Sequence, residues 1–99
     1  MVVIPILAVA NQTVDVVLNS QSCTINIYQK GEHLFLDLLV GGAAVLLGQV
    51  CRDRCRIVRL AYLEFKGDLL FVDTQGFDDP AYSGLGERWE LVYLLPSEL

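Results

Sequence analysis

Apolar and polar residues alternate with a period of two over most of the chain. The alternation is clearest in residues 13–18, 23–28 and 34–40, where every second side chain is apolar. A period of two puts successive side chains on opposite faces of a strand, and the 3.6-residue period of a helix is not sustained for three turns. The chain is therefore predicted to be all-β.

Short turn sequences separate these segments, and each carries Gly, Asn or Asp, which accept tight or left-handed backbone geometry. Further strands are predicted over Val45–Val50, Arg56–Tyr62, Leu69–Thr74 and Arg88–Leu95. About seven or eight short strands without a βαβ rhythm predict a small antiparallel β-barrel or a two-layer sandwich. The barrel is favoured because closure removes exposed strand edges.

One segment, QGFDDPAYSGLGE at residues 75–87, is too long for a hairpin turn. Loops of this length in a compact domain are commonly functional. Its apolar side chains can fix the loop to the body of the domain or to a partner, or can pack over the end of the barrel. These apolar side chains are Phe77, Tyr82 and Leu85.

Length and composition add an expectation about assembly. The 99 residues are enough for one domain, 1–99, and 54% of them are hydrophobic. A domain of this size leaves much of its surface in water, so the apolar excess predicts subunit contacts and an obligate oligomer.

The net charge of −5 opposes nucleic-acid binding. The most apolar stretch, residues 34–51, contains Asp37 and a Gly pair, which opposes a membrane span.

The charges are unevenly distributed along the chain. Five of the seven basic residues lie in residues 52–66, whereas seven acids and Arg88 alone lie from Asp68 onward. This separation suits head-to-tail packing in a ring, in which one subunit's basic edge meets the next subunit's acidic loop. The alternative is an ordinary solvated mixture of charges.

Catalytic and metal-binding motifs are not supported. His33 is the only histidine and follows a predicted turn, with no motif for an orienting acid or an oxyanion hole. Cys51 and Cys55 lack zinc-ribbon spacing, and the acids of the long loop lack the rhythm of a calcium-binding loop. We therefore expect no enzyme activity, no cofactor and no metal. A disulfide between Cys51 and Cys55 is left as an open alternative. The chain has an odd number of cysteines and begins with MVVIPILAV, which lacks a basic n-region. Both features predict a protein made in the cytosol.

Several motifs in sequence order resemble the small baseplate plug proteins of contractile-tailed, cyanophage-like bacteriophages. The resemblance covers nearly the whole chain and is most specific from Leu63 to Trp89. Cys51 and Cys55 depart from the family pattern, so no redox role is implied. The motifs are Asn11-Gln12 at the start of the first regular strand, Gly48 before a hairpin, residues 62–69, residues 73–86 and Arg88-Trp89.

This resemblance implies a structural virion protein of the tail baseplate, assembled in the cytoplasm of the bacterial host. It implies an axial position among hub, spike and tube proteins, where the symmetry favours a trimer first and a hexamer second. The long loop would then be the partner surface, with Arg54, Arg56 and Arg59 as its candidate electrostatic counterpart. The candidate partner-binding residues of the loop are Phe77, Asp78, Asp79, Tyr82 and Leu85. The alternative function from the residues alone is a small ligand-binding β-barrel whose half-apolar faces line a cavity.

Overall fold

Seven strands in two antiparallel sheets make up most of the regular structure in residues 2–59 and 65–98, the part of the chain that the computed structural model describes. The larger sheet has the order β2-β3-β4-β5 and the smaller one the order β1-β7-β6. Two 3-10 turns, Tyr82–Gly84 and Pro96–Glu98, complete the elements. The strands are β1 Val2–Ile4, β2 Asn11–Leu18, β3 Gln21–Lys30, β4 His33–Val40, β5 Ala43–Cys51, β6 Asp68–Asp73 and β7 Trp89–Leu94.

The larger sheet is a meander of four consecutive strands, joined at the predicted turns. Its two-residue turn between β2 and β3 uses Asn19 and Ser20, both with positive φ, 49° and 62°. The predicted alternation is confirmed, because Ile25 and Ile27 are fully buried while Thr24 and Asn26 on the other face are half-buried. Residues 34–51, the most apolar stretch, form the β4–β5 hairpin.

The inner faces of the two sheets share one hydrophobic core. Ile25 and Leu36 of the larger sheet belong to the same buried cluster as Phe71 and Leu91 of the smaller one. The sheets are not closed on each other, so the sandwich form of the predicted all-β fold is confirmed and the preference for a barrel is wrong. The closed barrel that the ligand-binding alternative needs is not formed by the described strands.

Residues 53–59 cover the outer edge of β6, which removes the reason for expecting a closed barrel. Backbone N–H groups of Arg54 and Ile57 donate to the carbonyl oxygens of Phe71 and Leu69 at 2.7 and 2.8 Å. An edge covered in this way offers fewer unpaired groups to other chains. The strand predicted over Arg56–Tyr62 is wrong for residues 56–59, which are irregular, and its remainder lies outside the described residues.

The irregular path of residues 56–59 has a specific cause in Asp68, whose side chain is only 1% exposed. Its carboxylate accepts the backbone N–H groups of Val58 and Arg59, both at 2.8 Å, and the Nε–H of Arg56 at 3.1 Å. A buried charge is tolerated where hydrogen bonds and a counter-charge satisfy it. The carboxylate therefore replaces the ladder bonds that a regular strand would make.

Within the described part of the chain, no helix has the length and apolar character needed to span a bilayer.

The loop that enters β7 passes closely over the N-terminal segment at Gly86. Gly86 has a φ of +83°, and a Cβ added there would lie 2.5 Å from the carbonyl oxygen of Ile6. Gly31, in the β3–β4 turn, has a similar φ of +65° but open space around it. Substitution at the two glycines therefore distinguishes two contributions to the free energy of unfolding: left-handed backbone strain at both positions, and a steric clash at Gly86 alone.

We expect Gly86→Ala to lower the free energy of unfolding by roughly 2–4 kcal/mol, because it adds a clash to the roughly 1–2 kcal/mol of left-handed strain. Gly31→Ala, the matched control, should lose only the strain. Urea unfolding of both variants measures the difference. Equal losses in the two variants would contradict the close approach of the loop to Ile6.

Candidate partner-binding site

Residues 74–88 connect β6 to β7 and form a loop that lies against the body of the domain. Leu85 is 1% exposed and belongs to the core, so it fixes the loop to its own domain. The two aromatic side chains behave differently, because Phe77 is 85% exposed and Tyr82 40% exposed. The Tyr82 N–H donates to Oε1 of Gln29, at the end of β3, at 3.2 Å. The loop thus presents aromatic side chains from an anchored backbone.

The carboxylate of Asp73, the last residue of β6, holds both ends of this loop. Its oxygens accept the N–H groups of Gln75 and Asp78, each at 2.9 Å. They also accept hydrogen bonds from Nε and Nη2 of Arg88, at 2.9 and 2.8 Å. Such a bidentate pair fixes geometry as well as charge. The side chain of Asp73 is fully buried, which makes this carboxylate the internal anchor of the loop.

The hydrogen bond from Arg88 holds the pKa of Asp73 well below its usual range, and the N–H groups of Asp78 and Gln75 act in the same direction against the effect of burial. The same hydrogen bond raises the pKa of Arg88. Both groups therefore stay charged over the neutral range. The loop is held by a permanent ion pair.

Arg88 extends this network to the rest of the loop. Its Nη2 also donates to Oδ2 of Asp78 at 2.8 Å, and its guanidinium carbon lies 4.5 Å from the ring centroid of Trp89. The indole N–H of Trp89 donates to the carbonyl oxygen of Asp78 at 3.0 Å. A Cβ added at Gly84 would lie 2.4 Å from the Trp89 ring, so the 3-10 turn sits directly on the indole.

A second segment, residues 52–54, is hydrogen-bonded to the loop from the other side. Oδ1 of Asp79 accepts the N–H of Asp53 at 3.0 Å, and its other oxygen lies 3.5 Å from Nη1 of Arg52. Asp53 in turn accepts the N–H of Asp73 at 2.8 Å. These bonds join residues far apart in sequence and couple the loop to the edge-covering segment.

Arg54 lies beneath the exposed phenyl ring. Its guanidinium donates to the carbonyl oxygens of Gly76 and Asp73 at 3.1 and 2.9 Å and to the carboxylate of Asp53. Its guanidinium carbon lies 4.7 Å from the ring centroid of Phe77. Cations at this distance over an aromatic face are attracted by the ring quadrupole. The Phe77 ring is therefore supported on one face.

The charge separation seen along the sequence does not persist in space. Arg52 faces Asp79, Arg54 faces Asp53, and Arg56 faces Asp68 within the same chain. Arg59 is exposed and contacts Asp68 through its backbone N–H. Much of the basic segment is thus neutralised by its own acids, which removes most of the asymmetry on which a head-to-tail ring of charges would depend.

The fold brings four of the predicted residues together, namely Phe77, Asp78, Asp79 and Arg54. Tyr82 lies further along the loop, Leu85 lies in the core, and Arg56 and Arg59 surround Asp68. Sequence reasoning missed the roles of Asp53, Asp73 and Arg88 as the residues that hold the cluster. A signal for Asp73 was present, since an acid that ends a strand and precedes Gln75-Gly76 can accept N–H groups of the following turn.

The candidate catalytic and metal-binding side chains include the three cysteines and His33. Cys23, Cys51 and Cys55 are free thiols, and burial raises the pKa of Cys51 to about 12. His33 is exposed at the start of β4. In residues 2–59 and 65–98, no group of three or more His, Cys, Asp or Glu side chains is arranged to hold a metal ion.

We expect Asp73→Asn to destabilise the chain most above pH 4 and progressively less below it. Because the folded pKa is depressed, the stabilisation by the carboxylate is complete above the unfolded value of about 3.9 and is lost as the pH falls toward the folded value. Urea unfolding at pH 7, 5 and 3 measures the gap between the two proteins.

The control for this experiment is Asp15→Asn, at an exposed position on β2. A surface change of this kind should stay within about 0.5 kcal/mol of the original at each pH. A gap for Asp73→Asn that is as large at pH 3 as at pH 7 would show that the charge of Asp73 does not hold the loop.

Comparison with known proteins gives a family for the chain. A family model described as the cyanophage baseplate Pam3 plug gp18 matches residues 1–96 of the 99 residues. No curated protein matches the chain. The family match spans both sheets and the whole loop, and it confirms the resemblance found in the sequence. The chain belongs to the family of cyanophage baseplate plug proteins, structural components of the phage tail baseplate.

Proposed function

We propose that the chain is a non-enzymatic plug that closes or bridges the axial region of a contractile phage tail baseplate. It does so through contacts with hub, spike and tube proteins and with copies of itself. A trimer is the favoured oligomer, and a hexamer is the second choice. It is assembled in the cytoplasm of the bacterial host. Membership of the plug family supports the baseplate location, and exposed aromatic and apolar side chains support the contacts.

The observation that carries the proposal is the anchored loop with its exposed Phe77. Aromatic residues and arginines dominate the energetics of protein interfaces, and a surface that is already ordered loses little entropy when it binds. Phe77 and Tyr82 are exposed on a backbone held by the buried carboxylate of Asp73. Asp78 and Asp79 lie in the same loop as exposed acidic residues. Arg59 adds an exposed charge close to Arg54 in sequence, whereas Arg56 is paired with Asp68.

Self-association has separate support from apolar side chains outside the loop. Leu7 is 68% exposed, Val17 70% and Leu47 67%. Val17 and Leu47 lie on β2 and β5, the two edge strands of the larger sheet, and Leu7 lies in the segment before β2. Exposed apolar side chains at several places on one small domain favour contacts with more than one neighbour. This distribution fits a subunit that contacts copies of itself and other baseplate proteins.

We expect the purified chain to have about three times its 11.0 kDa mass in gel filtration coupled to light scattering with reductant present. The mass should change little between low and high salt, because many of the arginines are already paired within the chain and apolar contacts are not screened. Strong dissociation by salt would instead support head-to-tail charge pairing. A mass of 11.0 kDa at both salt concentrations would contradict self-assembly.

Replacing both exposed aromatics with acids, Phe77→Asp with Tyr82→Asp, should leave the monomer folded and weaken association at least tenfold. Each substitution puts a charge where the interface would exclude water. Thr13→Asp, at an exposed polar position on β2 outside the loop and the exposed apolar side chains, is the control for added charge. Light scattering measures self-association, and biolayer interferometry on immobilised hub, spike and tube proteins of the same phage measures partner binding.

The circular dichroism spectrum and the urea midpoint of the double variant decide how a loss of binding is interpreted. Near-native values together with weaker association support the loop as an interface. Unfolding of the double variant would show that the loop belongs to the core. Unchanged association in a folded double variant would exclude the two aromatics from the interface.

A further inference from the structure

We propose that Arg54 is a positioning residue that holds the Phe77 ring outward as a preformed anchor, and that this anchor enters an apolar pocket with a basic rim on another baseplate protein. The inference rests on the proposed function and deepens it by assigning different roles to two residues of the same cluster. Phe77 makes the contact, whereas Arg54 acts through Phe77.

The first step of the argument is the way in which the Arg54 guanidinium is used. It donates to the carbonyl oxygens of Gly76 and Asp73, which belong to the chain leading into Phe77. It also pairs with the carboxylate of Asp53, a residue held in place by its bonds to Asp73 and Asp79. A planar fork with fixed donors suits this task, which a lysine ammonium cannot reproduce. Arg54 is therefore committed to the loop and is not available as a free charge for a partner.

The second step is the backbone of Arg54 itself, which has a φ of +55°. This left-handed conformation is unfavourable for a residue with a Cβ and is normally occupied by Gly, Asn or Asp. The strain is compatible with folding because the N–H of Arg54 bonds to the carbonyl oxygen of Phe71 at 2.7 Å. An arginine in this position directs its long side chain across the loop to the underside of the Phe77 ring.

The third step is the surface of the ring. Phe77 is 85% exposed although the guanidinium lies 4.7 Å from its centroid. The cation therefore supports one face and leaves the rest of the ring in water. An apolar ring held in this way gains nothing from the hydrophobic effect until a second apolar surface covers it. The complementary surface is a pocket lined by aliphatic or aromatic side chains.

The charge around the ring indicates what lies at the rim of that pocket. The side chain of Asp78, next to Phe77, is 78% exposed. The three arginines of the cluster, Arg52, Arg54 and Arg88, face four carboxylates of this chain, because Arg88 is shared between Asp73 and Asp78, so the cluster keeps a net charge of −1. A partner that approaches Phe77 thus meets an exposed carboxylate beside it, and a lysine or arginine at the pocket rim complements that charge. A second copy carries the same net charge of −5, so a different baseplate protein supplies such a group more readily.

The test compares four variants of the full chain with immobilised hub, spike and tube proteins of the same phage. Phe77→Ala removes the anchor, and Arg54→Lys keeps the charge but removes the planar fork. Arg54→Gln removes the charge and keeps a donor. Lys66→Arg, an exposed basic position before β6 and outside the cluster, is the control for a conservative exchange of basic side chains. Amide hydrogen exchange at residues 75–79 reports loop order, and the circular dichroism spectrum confirms folding.

We expect Phe77→Ala to weaken binding to one of the three proteins at least tenfold without changing hydrogen exchange outside the loop. Arg54→Lys and Arg54→Gln should accelerate exchange at residues 75–79 and weaken the same binding about three- to tenfold, mainly by slowing association. Lys66→Arg should change neither binding nor exchange. This pattern is specific to a residue that acts by ordering the anchor.

Three results would overturn the inference, and they are distinguishable from one another. If Phe77→Ala weakens binding but neither Arg54 variant alters exchange, the positioning role fails and the proposed function stands. If the Arg54 variants loosen the loop but no variant affects binding to any of the three proteins, the loop fails as the proposed interface. If Phe77→Ala reduces only the mass of the chain in light scattering, the pocket lies on a second copy and the assignment to another protein is wrong.

Discussion

Two aspartates, at the first and last positions of β6, hold the irregular parts of the chain to the sandwich. Asp68 accepts N–H groups from residues 58 and 59, and Asp73 accepts N–H groups from residues 75 and 78 together with the Arg88 fork. Burying a carboxylate is unfavourable unless donors replace its lost water. Both carboxylates have those donors, and no buried side-chain nitrogen or oxygen in the described residues lacks a partner. The exposed aromatic side chains Phe77 and Tyr82 therefore lie on a loop whose order depends on a buried carboxylate.

This arrangement explains how an antiparallel sandwich of modest size can carry a long loop without losing order. Hydrophobic burial holds the two sheets together but cannot fix a loop that lies on the surface. Ion pairs and hydrogen bonds to buried carboxylates fix the loop instead. Because these bonds are directional, they determine the positions of Phe77 and Trp89. The loop is ordered by polar contacts and the sheets by apolar ones.

The local parts of this structure were predictable from the sequence, and the long-range parts were not. Alternation over residues 23–28 and 34–40 reports which face of a strand is buried, and Asn19-Ser20 and Gly31 report turns, because each depends on neighbouring residues. The covered edge of β6 and the pairing of Arg88 with Asp73 depend on residues brought together by the fold. The preference for a barrel failed for this reason, since nothing local in residues 53–59 indicates that they shield an edge. The loop was recognised by its length, and Phe77 by its type, but the separate tasks of Arg54 and Leu85 became visible only in three dimensions.

The intramolecular pairing of charge also constrains how this member of the plug family can associate. An ion pair between subunits requires each subunit to give up the pair that it already makes, so the exchange yields little net free energy when both pairs are partly exposed. Apolar side chains carry no such competing partner within the chain. The exposed Val17, Leu47 and Phe77 side chains thus have more to gain from a neighbour than the arginines do. Association in the baseplate should follow shape and apolar contact, with charge acting at the rim to select which protein is bound.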